Sequence, residues 1–256
     1  MLCCSVCGAA VVDPSARRSN AQAYYEDEYT LTQTSRSSAE RHRIFRLPEY
    51  YRLLNEIGTV QPAPASWLDV GCDHGFFLDE ARRAGYTVEG VELASKARAY
   101  GLQMGLTIHA SLELVHNSFD VISLWHVLEH IPDPRAMIED LVSRLQPGGT
   151  LALRVPDAGS FWSRLLQQHW IWFQPGVHVV HFTKNSIRVL LENAGLDVIA
   201  VRSQRPNSRL TRKSYHFANT VLARTVQLSR PSVRDHVARL YQDITGVEIM
   251  AIAQKK

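Results

Sequence analysis

Residues 66–92 read SWLDVGCDHGFFLDEARRAGYTVEGVE, and this stretch decides the fold. Trp67, Leu68 and Val70 form a short apolar run that ends at Gly71. Phe77, Leu78, Ala81 and Ala84 then recur at helical spacing, and Gly85 supplies the stop. Thr87 to Val91 predicts a second strand that delivers Glu92 at its carboxyl end. Strand, glycine turn, helix and strand make a βαβ half with a ligand crevice outside the strand tips. Gly71 and Gly75 let the backbone approach a bound molecule and turn sharply into the helix. Glu92, about twenty residues beyond the turn, is placed to accept hydrogen bonds from two ribose hydroxyls.

Spacing narrows the ligand. A dinucleotide site wants G-x-G-x-x-G, whereas this turn is G-x-x-x-G preceded by Asp69. A carboxylate at the strand tip suits a ligand carrying an ammonium group. Ribose plus ammonium without a diphosphate points to S-adenosylmethionine. The same residues resemble the class I S-adenosylmethionine-dependent methyltransferases, in their small-molecule branch of ubiquinone-pathway-like, sugar and secondary-metabolite enzymes. Members of that branch carry a "DVGCGxGxF" turn and an "HVLEHIPDP" segment. Here those stand as Asp69-Val-Gly-Cys-Asp-His-Gly-Phe-Phe and His126-Val-Leu-Glu-His-Ile-Pro-Asp-Pro. The resemblance covers roughly residues 22 to 202 plus the last strand. Asp73 departs from it, standing where the family has a middle glycine; Asp tolerates such turns better than most residues.

The resemblance implies an α/β fold: a Rossmann-like, seven-stranded, mostly parallel sheet with helices on both faces. Its last strand is antiparallel, with a helical insertion before it. The implied cofactor is S-adenosylmethionine, held by Asp69, Gly71, Cys72, Gly75, Glu92, Leu93 and Trp125. Ser111 and Leu112 take the position where relatives contact the adenine ring.

Length and composition set the bounds. With 256 residues and 45% apolar content, one α/β domain with an appendage is expected. The net charge of +3 gives no warrant for a nucleic-acid partner. No apolar stretch reaches membrane-spanning length, and the N-terminus lacks the pattern of a signal peptide, so a cytoplasmic protein is expected. Cys3, Cys4 and Cys7 look like half of a zinc knuckle, but tetrahedral zinc needs four ligands and no second C-x-x-C follows. Residues 1–21 are therefore expected to be a disordered, reduced leader.

Residues 22–65 are expected to be a helical segment; its aromatic-acidic run Tyr24-Tyr-Glu-Asp-Glu-Tyr is similar to the family's motif that lies over the cofactor as part of a lid, with a surface turn as the alternative. A helix over 37–57, interrupted or restarted at Pro48, carries Ile44, Phe45, Tyr51, Leu54 and Ile57 as apolar members. Within the core, residues 66–202, further strands over 106–108, 119–124, 150–155 and 196–201 place Gly71, Glu92, His126 and Asp157 at one edge. Residues 160–182 concentrate aromatics and histidines where relatives build a substrate pocket. Residues 203–246 hold eight Arg/Lys against two Asp. They predict a helical cap or homodimer contact, with peripheral membrane contact as the sharper alternative. Residues 247–256 hold the last strand, expected to begin at Gly246, and the tail.

Methyl transfer from a sulfonium requires alignment and exclusion of water, and an oxygen acceptor must also lose a proton. Histidine suits that task near neutral pH, and the candidates are His126, His178 and His181. The expected substrate is a small-molecule acceptor methylated on a hydroxyl, with no specific nucleic acid. In ubiquinone-pathway relatives a Glu-x-x-Glu-His cluster holds a divalent ion, but here His126 occupies the first position. Glu129 and His130 are accordingly given a structural part, capping the helix that starts at Asp133, and no metal is assigned. A scaffold protein that kept the fold and lost catalysis is the competing class. A nicotinamide-dependent oxidoreductase ranks below it, because the third glycine is missing.

Overall fold

A computed structural model describes residues 1–16, 36–170, 172–204 and 247–256. In chain order they form strands β1 (Leu2–Cys3) and β2 (Ala10–Val11), helix α1 (Arg36–Gly58), β3 (Ser66–Val70), α2 (Phe76–Arg83) and β4 (Thr87–Val91). Then come α3 (Ser95–Gln103), β5 (Thr107–His109), β6 (Phe119–Trp125), α4 (Pro134–Ser143), β7 (Leu145–Pro156) and α5 (Phe161–Leu166). The series closes with β8 (Val180–His181), α6 (Lys184–Asn193), β9 (Leu196–Gln204) and β10 (Glu248–Lys255).

The main sheet has seven strands in the order β5-β4-β3-β6-β7-β10-β9. Pairing is parallel from β5 to β7, and β10 runs antiparallel to both β7 and β9. The strand order reverses beside β3, so the crevice lies where the tips of β3 and β6 diverge. Because β10 is antiparallel, its first residue, Glu248, also reaches that edge, level with Pro156.

Alternation along the strands sorts the core into two layers. Leu68, Ile122, Leu124, Leu151, Leu153 and Ile249 face α4 and α6, in one cluster with Ile138, Leu141, Ile187 and Leu191. Trp67, Val121, Ala152, Met250 and Ile252 face the other way, against Leu53, Leu54, Ile57 and Phe77 of α1 and α2. Trp67 is fully buried, with its indole N–H donating to Ser123 Oγ at 2.8 Å.

Several expectations are corrected. Helix α1 runs unbroken through Pro48. Its buried face is Ala39, Tyr50, Leu53, Leu54 and Ile57, while Ile44, Phe45 and Tyr51 are exposed. Charge fixes that rotation: Arg43 bonds Asp79 and Glu80 of α2, each at 2.6 Å, and Glu49 pairs with Arg154 of β7. Residues 1–16 are not a disordered leader. β1 and β2 form a hairpin, and β2 pairs with β8 through Ala10–His181 and Val11–Val180. Strand β9 extends to Gln204, and β10 starts at Glu248 rather than Gly246. The aromatic-acidic run at 24–29 and the helices expected within 205–246 lie outside the described residues. Among the described residues, no helix is long and apolar enough to cross a membrane.

The Glu49–Arg154 pair is nearly inaccessible to solvent. Removing one partner of such a pair leaves an uncompensated charge. Glu49→Leu is expected to lower the unfolding free energy by roughly 3–5 kcal/mol in urea denaturation. A loss of under about 1 kcal/mol, the scale of a surface ion pair, would contradict this placement.

Candidate functional site

The glycine turn is built for close backbone approach. Gly71 and Gly75 have φ of 75° and 76°, where L side chains are strained. Space is short as well: a Cβ on Gly71 would stand 2.4 Å from Val127 Cγ2, and one on Gly75 would stand 2.6 Å from Leu106 Cδ1. Asp73 adopts a left-handed φ of 51°, so the residue that departs from the motif keeps the turn. Its carboxylate turns to His74, with Oδ1 2.7 Å from Nδ1. Burial would lower the His74 pKa, but Asp73 prevails and raises it.

Glu92 laces the crevice together. One carboxylate oxygen accepts the Asp73 N–H at 2.9 Å and the other accepts the Ala94 N–H at 2.8 Å. Burial raises its pKa. Each oxygen keeps acceptor capacity for a ribose hydroxyl. Beside it, Leu93 is half exposed and Ser111 and Leu112 are half-buried at the end of β5.

Two expected cofactor residues sit deeper than the sequence implied. Asp69 is buried in the sheet and accepts the Ser123 hydroxyl at 2.5 Å. Burial pushes its carboxyl up to about 8, so it is a neutral acid at pH 7 rather than a preformed counter-ion for ammonium. Cys72 points under the turn into the cluster with Leu78, Leu106 and Ile108, and burial raises its thiol well above the usual range. Only its backbone is available to a ligand. The half-buried Trp125 packs edge-on against Phe77, with ring centroids 5.6 Å apart, and lies under the Arg154 guanidinium.

The three histidines differ in kind. His126 follows β6 with φ 59°, a strained conformation of the sort that gathers at functional sites. Its Nδ1 lies 3.3 Å from Glu129 Oε1 and its Nε2 lies 3.4 Å from Glu248 Oε1. Trp172 stacks on the ring at 5.1 Å. Burial alone would lower its pKa, but the two carboxylates raise it to about 10. His126 is therefore an imidazolium with both nitrogens occupied, which corrects its candidacy as a base. His178 donates from Nδ1 to the Trp172 carbonyl at 2.8 Å, and burial lowers its pKa. His181 is lowered to about 4, by burial first and then by His178, and its Nε2 is buried with no hydrogen-bond partner among the described residues. These two are neutral at pH 7.

Glu129 and His130 do not cap the following helix. Asp133 does so itself, accepting the Ala136 N–H at 3.0 Å. Instead, Glu129, His130 and His178 offer one ligand atom each, all within 4.8 Å of one another. His126 lies between Glu129 and Glu248, 3.3 Å and 3.4 Å from their carboxylates. Sequence reasoning missed Glu248. The available signal was a lone acid directly before the apolar run Ile249-Met-Ala-Ile-Ala of the last strand, which runs antiparallel.

Residues 40–201 match the family model for a methyltransferase domain. The chain belongs to the class I S-adenosylmethionine-dependent methyltransferases. It is 35% identical over 105 residues to the ubiquinone biosynthesis O-methyltransferase of Xanthomonas axonopodis pv. citri (strain 306), covering 37% of this chain and 44% of that one. It is 28% identical over 157 residues to the protein of the same name from Albidiferax ferrireducens, covering 50% and 62%. The chain thus spans about half the length of the curated relatives it matches. Among solved structures, magnesium protoporphyrin IX methyltransferase from Synechocystis PCC 6803, with bound S-adenosylhomocysteine, superposes with a TM-score of 0.61. That match covers 92% of this chain and 98% of the other at 13% identity, a likeness of fold. For a methyltransferase of this family the cofactor is S-adenosylmethionine.

The Asp69 carboxyl yields a prediction with a definite sign. Its pKa is about 8 in the folded protein against an ordinary 3.8, so between these values the folded state holds a proton that the unfolded state has lost. Its contribution to stability therefore falls as pH rises through that window and is fully lost above about 8. Asp69→Asn is expected to flatten the decline in Tm between pH 5 and pH 9, roughly the window that linkage defines. An unchanged pH profile would contradict the assignment.

Proposed function

We propose that this methyltransferase moves the methyl group of S-adenosylmethionine onto a hydroxyl oxygen of a small-molecule acceptor. The observation that carries the proposal is the Nε2 of His181, buried with no hydrogen-bond partner among the described residues. Its strand, β8, adjoins the tip of β7 through the Asp157–Phe182 bridge. A neutral imidazole is a proton acceptor, and a hydroxyl must lose its proton as it attacks the sulfonium methyl.

In this mechanism the turn at Gly71–Gly75 and Glu92 hold the nucleoside part of the cofactor, with Ser111 and Leu112 at the adenine. Trp172, stacked on the fixed His126 imidazolium, gives the acceptor a flat wall. His181 would take the hydroxyl proton as the acceptor oxygen bonds the methyl and S-adenosylhomocysteine leaves, and the site would contribute chiefly by aligning the acceptor and excluding water. The names of the curated relatives, ubiquinone biosynthesis O-methyltransferases, support an oxygen acceptor. On the same reading we place the protein in the cytoplasm, where its unpaired cysteines suit reducing conditions. The homodimer and membrane contacts proposed through 203–246 rest on residues almost wholly outside those described.

The test is transfer of labelled methyl from S-adenosylmethionine to a panel of phenolic and sugar hydroxyls. A hydroxyl acceptor should be methylated, and His181→Ala should lower kcat by roughly 10²–10⁴-fold while cofactor affinity is retained. Cofactor binding with no transfer to any hydroxyl would favour the scaffold reading. Full activity in the variant would remove His181 from the mechanism.

A further inference from the structure

We propose that the Asp73 carboxylate, which stands where the family's turn has a glycine, receives the methionyl ammonium of the cofactor. The sequence pattern assigns that partner to Asp69, and the structure removes Asp69 from the part. Asp69 lies within the sheet as a neutral acid bonded to Ser123. The role falls to another acid.

The other acids at this edge are committed. Glu92 accepts the Asp73 and Ala94 N–H groups and keeps its remaining acceptor capacity for ribose. Asp157 Oδ1 accepts the Gly159 N–H at 2.8 Å, and its Oδ2 accepts the Ser203 hydroxyl at 3.3 Å. Glu129 and Glu248 flank His126. Asp73 differs: it sits on the turn itself, with its side chain 28% exposed.

Placement and orientation both suit the task. The Asp73 N–H donates to Glu92 Oε2 at 2.9 Å, so the residue is one hydrogen bond away from the ribose acceptor. The methionyl chain leaves the ribose at its 5′ carbon, which keeps its ammonium within reach of a group beside that acceptor. Oδ1 lies 2.7 Å from His74 Nδ1, and among the described residues no bond to Oδ2 occurs. His74 is itself fixed, stacked on Phe76 at 5.5 Å and edge-on to Tyr100 at 5.3 Å, so it orients the carboxylate. The Asp73 charge acts on His42 of α1 as well as on Glu92, which sets it between that helix and the ribose acceptor.

Turn formation alone does not account for the residue. Glycine adopts a φ of 51° without the strain that a side chain brings. Asp73 also sets a second carboxylate beside Glu92 and disfavours its charged form. An ammonium ion bound there would offset both costs. This role concerns the cofactor alone and is independent of which acceptor is methylated.

The test is calorimetric titration of the full chain with S-adenosylhomocysteine and with its deaminated analogue, in which hydrogen replaces the amino group. Wild-type protein should bind S-adenosylhomocysteine roughly 10–100-fold more tightly than the analogue, the range expected for a hydrogen bond between charged partners. Asp73→Asn and Asp73→Gly both suit a left-handed turn. In each, the preference should vanish through weaker binding of S-adenosylhomocysteine, with affinity for the analogue unchanged. Circular dichroism would report that the variants remain folded. Equal binding of the two ligands by wild-type protein, or a preference retained in either variant, would overturn the role of Asp73. So would equal weakening of both ligands in both variants, the signature of a residue that serves only the turn. Wild-type protein that binds no S-adenosylhomocysteine would overturn the cofactor site as a whole, and this role with it.

Discussion

A chain of alternating charges runs through the protein from helix α1 to the crevice, and the rest of the arrangement depends on it. Arg46 pairs with Glu49, Glu49 with Arg154, and Arg154 faces Glu248. Glu248 faces His126, and His126 faces Glu129. Glu49, Arg154, Glu248 and Glu129 are all 3% exposed or less, so none of these charges could persist there alone. With three cations against three anions the series is neutral, which makes the burial tolerable. It also makes each member hostage to its neighbours.

Function inherits this geometry. Arg154 sits on β7, bonds Glu49 of the helix on one side and faces the carboxylate of Glu248, the first residue of β10, 3.8 Å away on the other. The series therefore fixes where α1 lies and which strand tip faces which. At its end, His126 is held as an imidazolium against Trp172 while His178 and His181 stay neutral behind it. One small region thus presents a cationic ring, two neutral rings and a buried carboxylate, a set of roles that chain position alone did not distinguish.

How much the sequence revealed follows from how local each signal was. Residues 66–92 were legible because strand, turn and helix announce themselves within a few residues, while the seven-stranded sheet with its antiparallel last strand, implied by the family resemblance, is the one observed. The position of Glu92, at the carboxyl end of β4, was legible for the same reason. The role of His126 was not, because its protonation depends on Glu248, far away along the chain and brought close only by sheet order. Of the apolar members named for α1, Leu54 and Ile57 are buried but Ile44, Phe45 and Tyr51 are not, because Arg43 and Glu49 set the rotation of the helix. The leader hairpin was missed because its two short strands are meaningful only beside β8. Asp69 was placed correctly at the end of a strand, yet its ionisation follows from a depth that no local pattern encodes.

The central claim is that the turn at Gly71–Gly75 and Glu92 make a site for an adenosyl ligand without a diphosphate. Calorimetric titration of S-adenosylhomocysteine and of NAD into the purified protein and into Glu92→Gln tests it most directly. One-to-one binding of S-adenosylhomocysteine is predicted, weakened roughly 10–100-fold in the variant as a charged hydrogen-bond acceptor is lost, with no binding of NAD. Binding of NAD in preference, or S-adenosylhomocysteine binding indifferent to Glu92, would contradict it.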